Sequence, residues 1–225
     1  MKNNSHGILN TIDNGPSLVT KEDLEKNFGI FLEGFSCNDI IKNDENYNFQ
    51  KIIQTYVVFF KTMIKNKIDF FGNVERISES IMFDLERRLY QVLRPSLIVY
   101  INKLRVENVL IGMDSGEEYK YFTKNFFHFK RFYIKFFEIL PLLNEKIFTI
   151  IENEINYMIW LQGALEKDQK EIHKMSAFNI MHVEKVTNLG DYHNNGKRTI
   201  LLEDKFNNKV ILKPVDLKNS ILYHS

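Results

Sequence analysis

The sequence lacks most features that mark secreted, membrane-spanning or disulfide-stabilised proteins. Its single cysteine, Cys37, cannot form an internal disulfide, which fits a reducing compartment. No apolar window reaches the roughly 18 residues that a membrane-spanning helix needs, and the richest runs, 52–60 and 95–101, are about half that length. The N-terminus has no apolar stretch of signal-peptide length. We therefore expect a cytoplasmic protein without a membrane span.

An excess of charge of one sign is also missing. The chain carries 30 Lys and Arg against 29 Asp and Glu, a formal net charge of +1, which argues against a nucleic-acid binder. The six histidines show no His-x-x-x-His spacing, and with one cysteine we expect no metal site. Cys37 has no basic neighbour that would lower its pKa, which favours an inert thiol over a nucleophile.

The chain nevertheless has ample material for a folded core. Its 225 residues are 44% hydrophobic and 13% aromatic, enough for one large domain or two small ones. Helical patterns dominate before residue 176, and alternating β-branched residues follow. We predict an α+β fold with three parts: a flexible lead-in at 1–19, a helical domain at 20–175 and a β-rich region at 176–225.

Apolar spacing and capping residues predict the helices. Thr20, with Asp23 three residues later, is a candidate N-cap, and Ser115 with Glu118 resembles a capping box. Pro95 is expected to kink or split the helix that contains it. The predicted helical segments are 20–35, 49–69, 75–112, 115–141 and 144–172.

Aromatic and basic residues interleave at 122–140, a pattern that allows stacking on nucleic acid. Aromatic residues at helical spacing more often indicate a helix buried on several sides, so we predict that this segment belongs to the core. Further along, 177–186 is a candidate strand. A hairpin is predicted from 198–205 and 209–216, with residues 206–208 as its turn.

Residues 188–217 give the clearest indication of a chemical function. Gly190 and Gly196 bracket a polar loop between two strand-like segments, and such a loop can direct backbone amides at phosphate oxygens. Lys213 follows on a strand, which is the order in which kinase-like folds present ATP. An ordinary surface turn is the alternative. His193 could contact a phosphate or hold the turn by hydrogen bonds to the backbone.

This segment resembles a block in the dehydratase domain of class II lanthipeptide synthetases. The block has the form Gly-Asp-x-His-x-x-Gly, followed by a hairpin that ends in Lys-Pro. The resemblance is specific in the last 40 or so residues and diffuse before them. The matching residues are Gly190, Asp191, His193, Asn194, Gly196, Lys213 and Pro214.

The resemblance implies a lipid-kinase-like domain that uses ATP and Mg²⁺. Members of the family phosphorylate Ser and Thr in a precursor peptide and then eliminate the phosphate. By this resemblance the loop would cover the nucleotide phosphates and Lys213 would contact them. The implied cofactor-binding residues are Gly190, Asp191, His193, Asn194, Gly196 and Lys213.

The sequence also departs from the family. Leu212 and Val215 stand where the family has Tyr and Arg, and the Asp-x-His-x-x-Asn catalytic loop is missing. We therefore expect an N-terminal fragment or one half of a split dehydratase, inactive alone, with Mg²⁺ ligands on a downstream chain. The alternative is a non-catalytic module that binds a peptide or a nucleotide.

Overall fold

A computed structural model describes most of the chain and confirms the α+β class. It describes residues 18–34, 49–65, 67, 74–127, 130–176, 178–179, 182–192 and 196–214. Six helices are followed by three strands in this described part. They are α1 Lys21–Gly34, α2 Gln50–Lys65, α3 Val74–Val106, α4 Ser115–Asn125, α5 Lys130–Ile139, α6 Pro141–Ser176, β1 Val183–Asn188, β2 Ile200–Asp204 and β3 Lys209–Leu212.

Thr20 caps α1 as its sequence context predicts. The backbone N–H of Asp23 donates to the Thr20 hydroxyl at 3.2 Å, and that hydroxyl donates to the Asp23 carboxylate at 2.9 Å. Just before the cap, Asn156 of α6 bonds both the N–H and the carbonyl of Val19 at 2.9 Å. These bonds fix the start of α1 against α6. Residues 1–17 of the predicted lead-in lie outside the described part.

Helix α3 continues through Pro95 and is not split there. Proline removes only one backbone donor, and the buried Leu93 and Leu97 on either side hold the helix against the core. The helix ends at Val106, earlier than predicted. Asn108 adopts φ +55°, and the N–H of Val109 donates to the carbonyl of Leu104 at 2.9 Å, as in a Schellman motif.

The N-cap of α4 lies one residue earlier than predicted. Asp114, rather than Ser115, accepts hydrogen bonds from the N–H groups of Gly116 and Glu117, at 2.8 and 2.9 Å. Glu117 adds a further bond by accepting from the N–H of Met113, the residue before the cap, at 2.8 Å. A carboxylate is the stronger acceptor for these amides, which explains the shift.

The predicted helix 115–141 is two helices, since α4 ends at Asn125 and α5 begins at Lys130. Phe127, between them, is buried with its ring 4.8 Å from Phe122 and 5.0 Å from Phe132. Burial of these rings confirms that the aromatic segment packs in the core. The final helix begins at Pro141, where its fixed φ suits a first helical position.

The strands form an antiparallel sheet in the order β1-β2-β3. The predicted hairpin is confirmed, whereas the first strand covers 183–188 rather than 177–186. Ile200 and Leu202 of β2 are buried toward the helices, and β1 packs on α3. The sheet therefore lies against the helical part through one face.

Asp204 fastens the hairpin turn. Its buried carboxylate accepts from the N–H groups of Phe206 and Asn208 at 2.8 and 2.9 Å, and from the N–H of Asn179 at 3.2 Å. Burial alone would raise the pKa of Asp204, but the bonds from Asn208, Asn179 and Phe206 outweigh it and hold that pKa below its usual value.

Candidate functional site

The glycine-flanked bend, residues 190–196, connects β1 to β2. The N–H of Leu189 donates to the carbonyl of Thr199 at 2.9 Å, so the two chain segments are still paired where the bend begins. The structure describes Gly190, Asp191 and Gly196 of the predicted site residues in the bend. His193 and Asn194 lie outside the described residues.

Gly196 is required by its surroundings. It has φ +88°, a conformation that side-chain-bearing residues rarely adopt. A Cβ at this position would lie 3.1 Å from both the Cβ and the carbonyl oxygen of Asn153 on α6. Gly196 therefore lies close enough to the backbone of α6 that a side chain there would be tightly crowded as well as conformationally strained.

A buried ion pair joins the end of the bend to the same helix. Arg198 donates from Nη2 to Oε1 of Glu154 at 2.5 Å and from Nη1 to Oε2 at 3.2 Å. The side chains are 2% and 0% exposed. Arg198 Nη1 also donates to the carbonyl of Gly196 at 3.1 Å. Such bidentate pairing fixes both distance and orientation.

A second arginine binds the same carboxylate. Arg88 of α3 donates to Oε2 of Glu154 at 3.0 Å, and its side chain is 16% exposed. Two guanidinium groups thus share one carboxylate. We refer to Arg88, Glu154 and Arg198 as the buried charge cluster; it ties α3, α6 and the end of the bend together.

Two tyrosines pack against the charge cluster. The guanidinium carbons of Arg88 and Arg198 lie 3.9 and 4.7 Å from the ring centroid of Tyr192, which is part of the bend. The ring of Tyr157, on α6, lies 4.4 Å from Arg198, and its hydroxyl donates to the Arg198 carbonyl at 2.9 Å. These cation–π contacts hold the described start of the bend as well as its end.

Burial and charge set the protonation of these groups. Burial, reinforced by the Glu154 carboxylate, raises the pKa of Tyr192 to about 12. Burial also raises the pKa of Tyr157. For Arg198, burial acts to lower the pKa, but Glu154 and the tyrosines outweigh it and raise that pKa. Arg198 therefore remains a cation and both tyrosines remain neutral at pH 7.

Lys213 immediately follows β3, and its side chain is exposed. Ile200, the first residue of β2 after the bend, pairs with Asn188 on one side and Leu212 on the other. Lys213 therefore lies at the end of the sheet from which the bend emerges. It has no hydrogen-bond or ion-pair partner among the described residues.

The residues that support the bend were not identified from the sequence. One signal was available: Glu154 interrupts an apolar stripe of α6 formed by Ile151, Ile155 and Met158, all of them buried. A carboxylate on such a stripe needs a buried cation, since an unpaired charge there is too costly. Which of the chain's arginines pairs with it is not encoded locally, because Arg198 is 44 residues away.

Within the described ranges, no group of three or more His, Cys, Asp or Glu side chains has a geometry suited to a metal ion. No helix in the part that the structure describes has the length and apolarity needed to cross a membrane.

Comparisons with known proteins bear on the role of this chain. No family model matches the chain. The chain is similar to the lacticin 481/lactococcin biosynthesis protein LcnDR2 of Lactococcus lactis subsp. lactis, with 25% identity over 176 residues. The similarity covers 74% of this chain but only 18% of that protein, so the chain spans less than a fifth of its relative's length.

Proposed function

We propose that this chain acts in lanthipeptide biosynthesis as the N-terminal part of a dehydratase region. The similarity to a lacticin 481/lactococcin biosynthesis protein carries the proposal. In this role the complete enzyme uses ATP to phosphorylate Ser and Thr of a precursor peptide and then eliminates the phosphate. Because the chain corresponds to 18% of its relative, the overall activity and the precursor peptide as a partner are both part of the proposal.

Within that role, the glycine-flanked bend and Lys213 bind the nucleotide phosphates. Backbone amides near Gly190 and Gly196 would donate to phosphate oxygens, and the Lys213 ammonium would supply a fixed cation. Two observations support this assignment: Lys213 lies at the same end of the sheet as the bend, and its side chain is exposed without a partner among the described residues. Asp191, also exposed, would lie beside the phosphates.

The described residues fit a phosphate-binding role but do not fit a magnesium site. They contain no cluster of metal-ligating side chains, and the 225-residue sequence contains no Asp-x-His-x-x-Asn motif. We therefore assign no Mg²⁺ ligand and no step through the metal to this chain. Binding and orienting the phosphates is the contribution that we propose for it.

Calorimetry with a non-hydrolysable ATP analogue tests the assignment of Lys213. Lys213→Ala should weaken binding by about 10-fold or more, since a hydrogen bond to a charged group contributes about 1.5–3 kcal/mol. Lys209→Ala is a matched control, because Lys209 is an exposed lysine on β3 whose only described pairing is with Glu203, at 3.5 Å. Equal affinity of the two variants would remove Lys213 from the site.

Incubation with ATP, Mg²⁺ and a precursor peptide tests the wider role. We expect nucleotide binding without loss of water from the peptide, as read by mass spectrometry. Loss of water from Ser or Thr would show that the chain turns over alone. Binding of the peptide's leader segment without binding of nucleotide would favour the non-catalytic module instead.

A further inference from the structure

The buried charge cluster lies where the helices meet the bend. Glu154 is fully buried and bonds Arg198 through two hydrogen bonds and Arg88 through one. Arg198 in turn bonds the carbonyl of Gly196, the last residue of the bend. Each of these bonds is directional, so together they favour one position of Gly196 relative to α3 and α6.

The residues of the cluster contact both described ends of the bend. Tyr192, near its start, lies against both guanidinium groups, at 3.9 and 4.7 Å. Gly196, at its end, lies so near Asn153, directly beside Glu154 on α6, that a Cβ at this position would be 3.1 Å from it. The side chains that bond Glu154 therefore contact or bond described residues near both ends of the bend.

We infer that Glu154, Arg88 and Arg198 are positioning residues that hold the described ends of the glycine-flanked bend, residues 190–192 and 196, on the helices and thereby set the affinity of these residues for nucleotide phosphates. The inference rests on the proposed function. It also assigns a task to the helical part, which supplies Glu154 and Arg88 and so preorganises a bend that belongs to the sheet. A preorganised bend loses less conformational entropy on binding than a mobile one.

Hydrogen exchange of backbone amides, read by mass spectrometry, tests the positioning directly. Glu154→Gln removes the charge at nearly constant volume, and Arg88→Met removes one cation from a partly exposed site. Each should accelerate exchange in peptides covering 189–199 by about 10-fold, the effect of losing one charge-assisted hydrogen bond. The affinity for a non-hydrolysable ATP analogue should fall by a similar factor.

Matched controls separate this role from general destabilisation. Glu152→Gln changes a carboxylate on the same helix, and Arg87→Met an arginine next to Arg88 whose side chain is 58% exposed. Both should leave exchange in the bend at the wild-type rate. Phe28→Leu should lower the melting temperature without altering exchange or affinity, since Phe28 is buried among the rings of Tyr56, Phe59 and Phe148.

The outcomes distinguish the inference from the proposed function. Unchanged exchange in Glu154→Gln and Arg88→Met would overturn the positioning role, whether or not nucleotide binds. Accelerated exchange with unchanged affinity would overturn the link between position and affinity. Accelerated exchange in a chain whose wild type binds no ATP analogue would support the positioning role and refute the proposed function.

Discussion

The aromatic core and the buried charge cluster are both buried, but they are held together differently. In the core, the ring of Phe28 stacks on Tyr56 at 4.9 Å and meets Phe59, Tyr133 and Phe148 edge-on at 5.1–5.7 Å. These contacts are numerous, apolar and individually weak. Removing part of one ring leaves the others to repack around it.

The charge cluster instead depends on a few directional bonds. Glu154 is bonded to Arg198 and Arg88. If these bonds broke, its carboxylate would be left as a buried charge without a partner. Buried ion pairs add little net stability compared with apolar residues of similar volume, because desolvation offsets the attraction. By this comparison the core supplies stability to the fold, whereas the cluster has the positioning role that we inferred above.

The largest expected change in the free energy of unfolding comes from removing the carboxylate of the cluster while its arginines remain. Glu154→Leu leaves two arginines without their carboxylate, and Arg198, 2% exposed, cannot reach water. We expect unfolding to become about 3–5 kcal/mol easier, the range for breaking a buried pair. The double variant Glu154→Leu/Arg198→Met should recover most of that loss, since Arg88 is partly exposed and can extend to solvent.

Urea unfolding followed by circular dichroism measures both variants, with equal slopes confirming that the comparison is of stability alone. A double variant as unstable as the single one would show that the directional bonds themselves stabilise the fold. The contrast with the aromatic core would then disappear.

An intermediate effect is expected where the bend touches α6. Gly196→Ala forces a side chain into φ +88° and within 3.1 Å of Asn153. We expect a loss of about 2 kcal/mol in the free energy of unfolding. Gly190→Ala is the control, because its Cβ would meet Thr199 at an ordinary 3.5 Å, so its effect should stay within about 0.5 kcal/mol. Equal effects in urea unfolding would indicate that the bend is free to move away from α6.

Local signals explain which parts of the fold could be predicted from the sequence. The cap at Thr20 and the hairpin turn at Asp204 each depend on residues within a few positions of one another. The split between α4 and α5 was missed because no glycine or proline marks it, and aromatic residues continue through it. Tertiary packing of rings such as Phe127 decides that boundary.

The candidate site likewise has a part that local sequence predicts and a part that only tertiary packing brings together. The bend and Lys213 could be identified from the sequence because glycines and a lysine lie at set intervals in one segment of about 25 residues. The residues that support them could not be identified in that way, because Glu154 and Arg88 come from two helices and approach the bend only after folding. Sequence reasoning therefore finds the residues proposed to touch the nucleotide and misses those inferred to position them.

The smallest effect is expected in the aromatic core itself. Phe28→Leu keeps an apolar side chain among Tyr56, Phe59 and Phe148, which can close part of the gap, so the cost should be about 1–1.5 kcal/mol. The urea midpoint should fall while the slope stays constant, because the unfolded surface is nearly unchanged. A loss as large as that of Glu154→Leu would mean that the rings interlock too specifically to repack, and that the core, like the charge cluster, depends on geometry as well as on buried area.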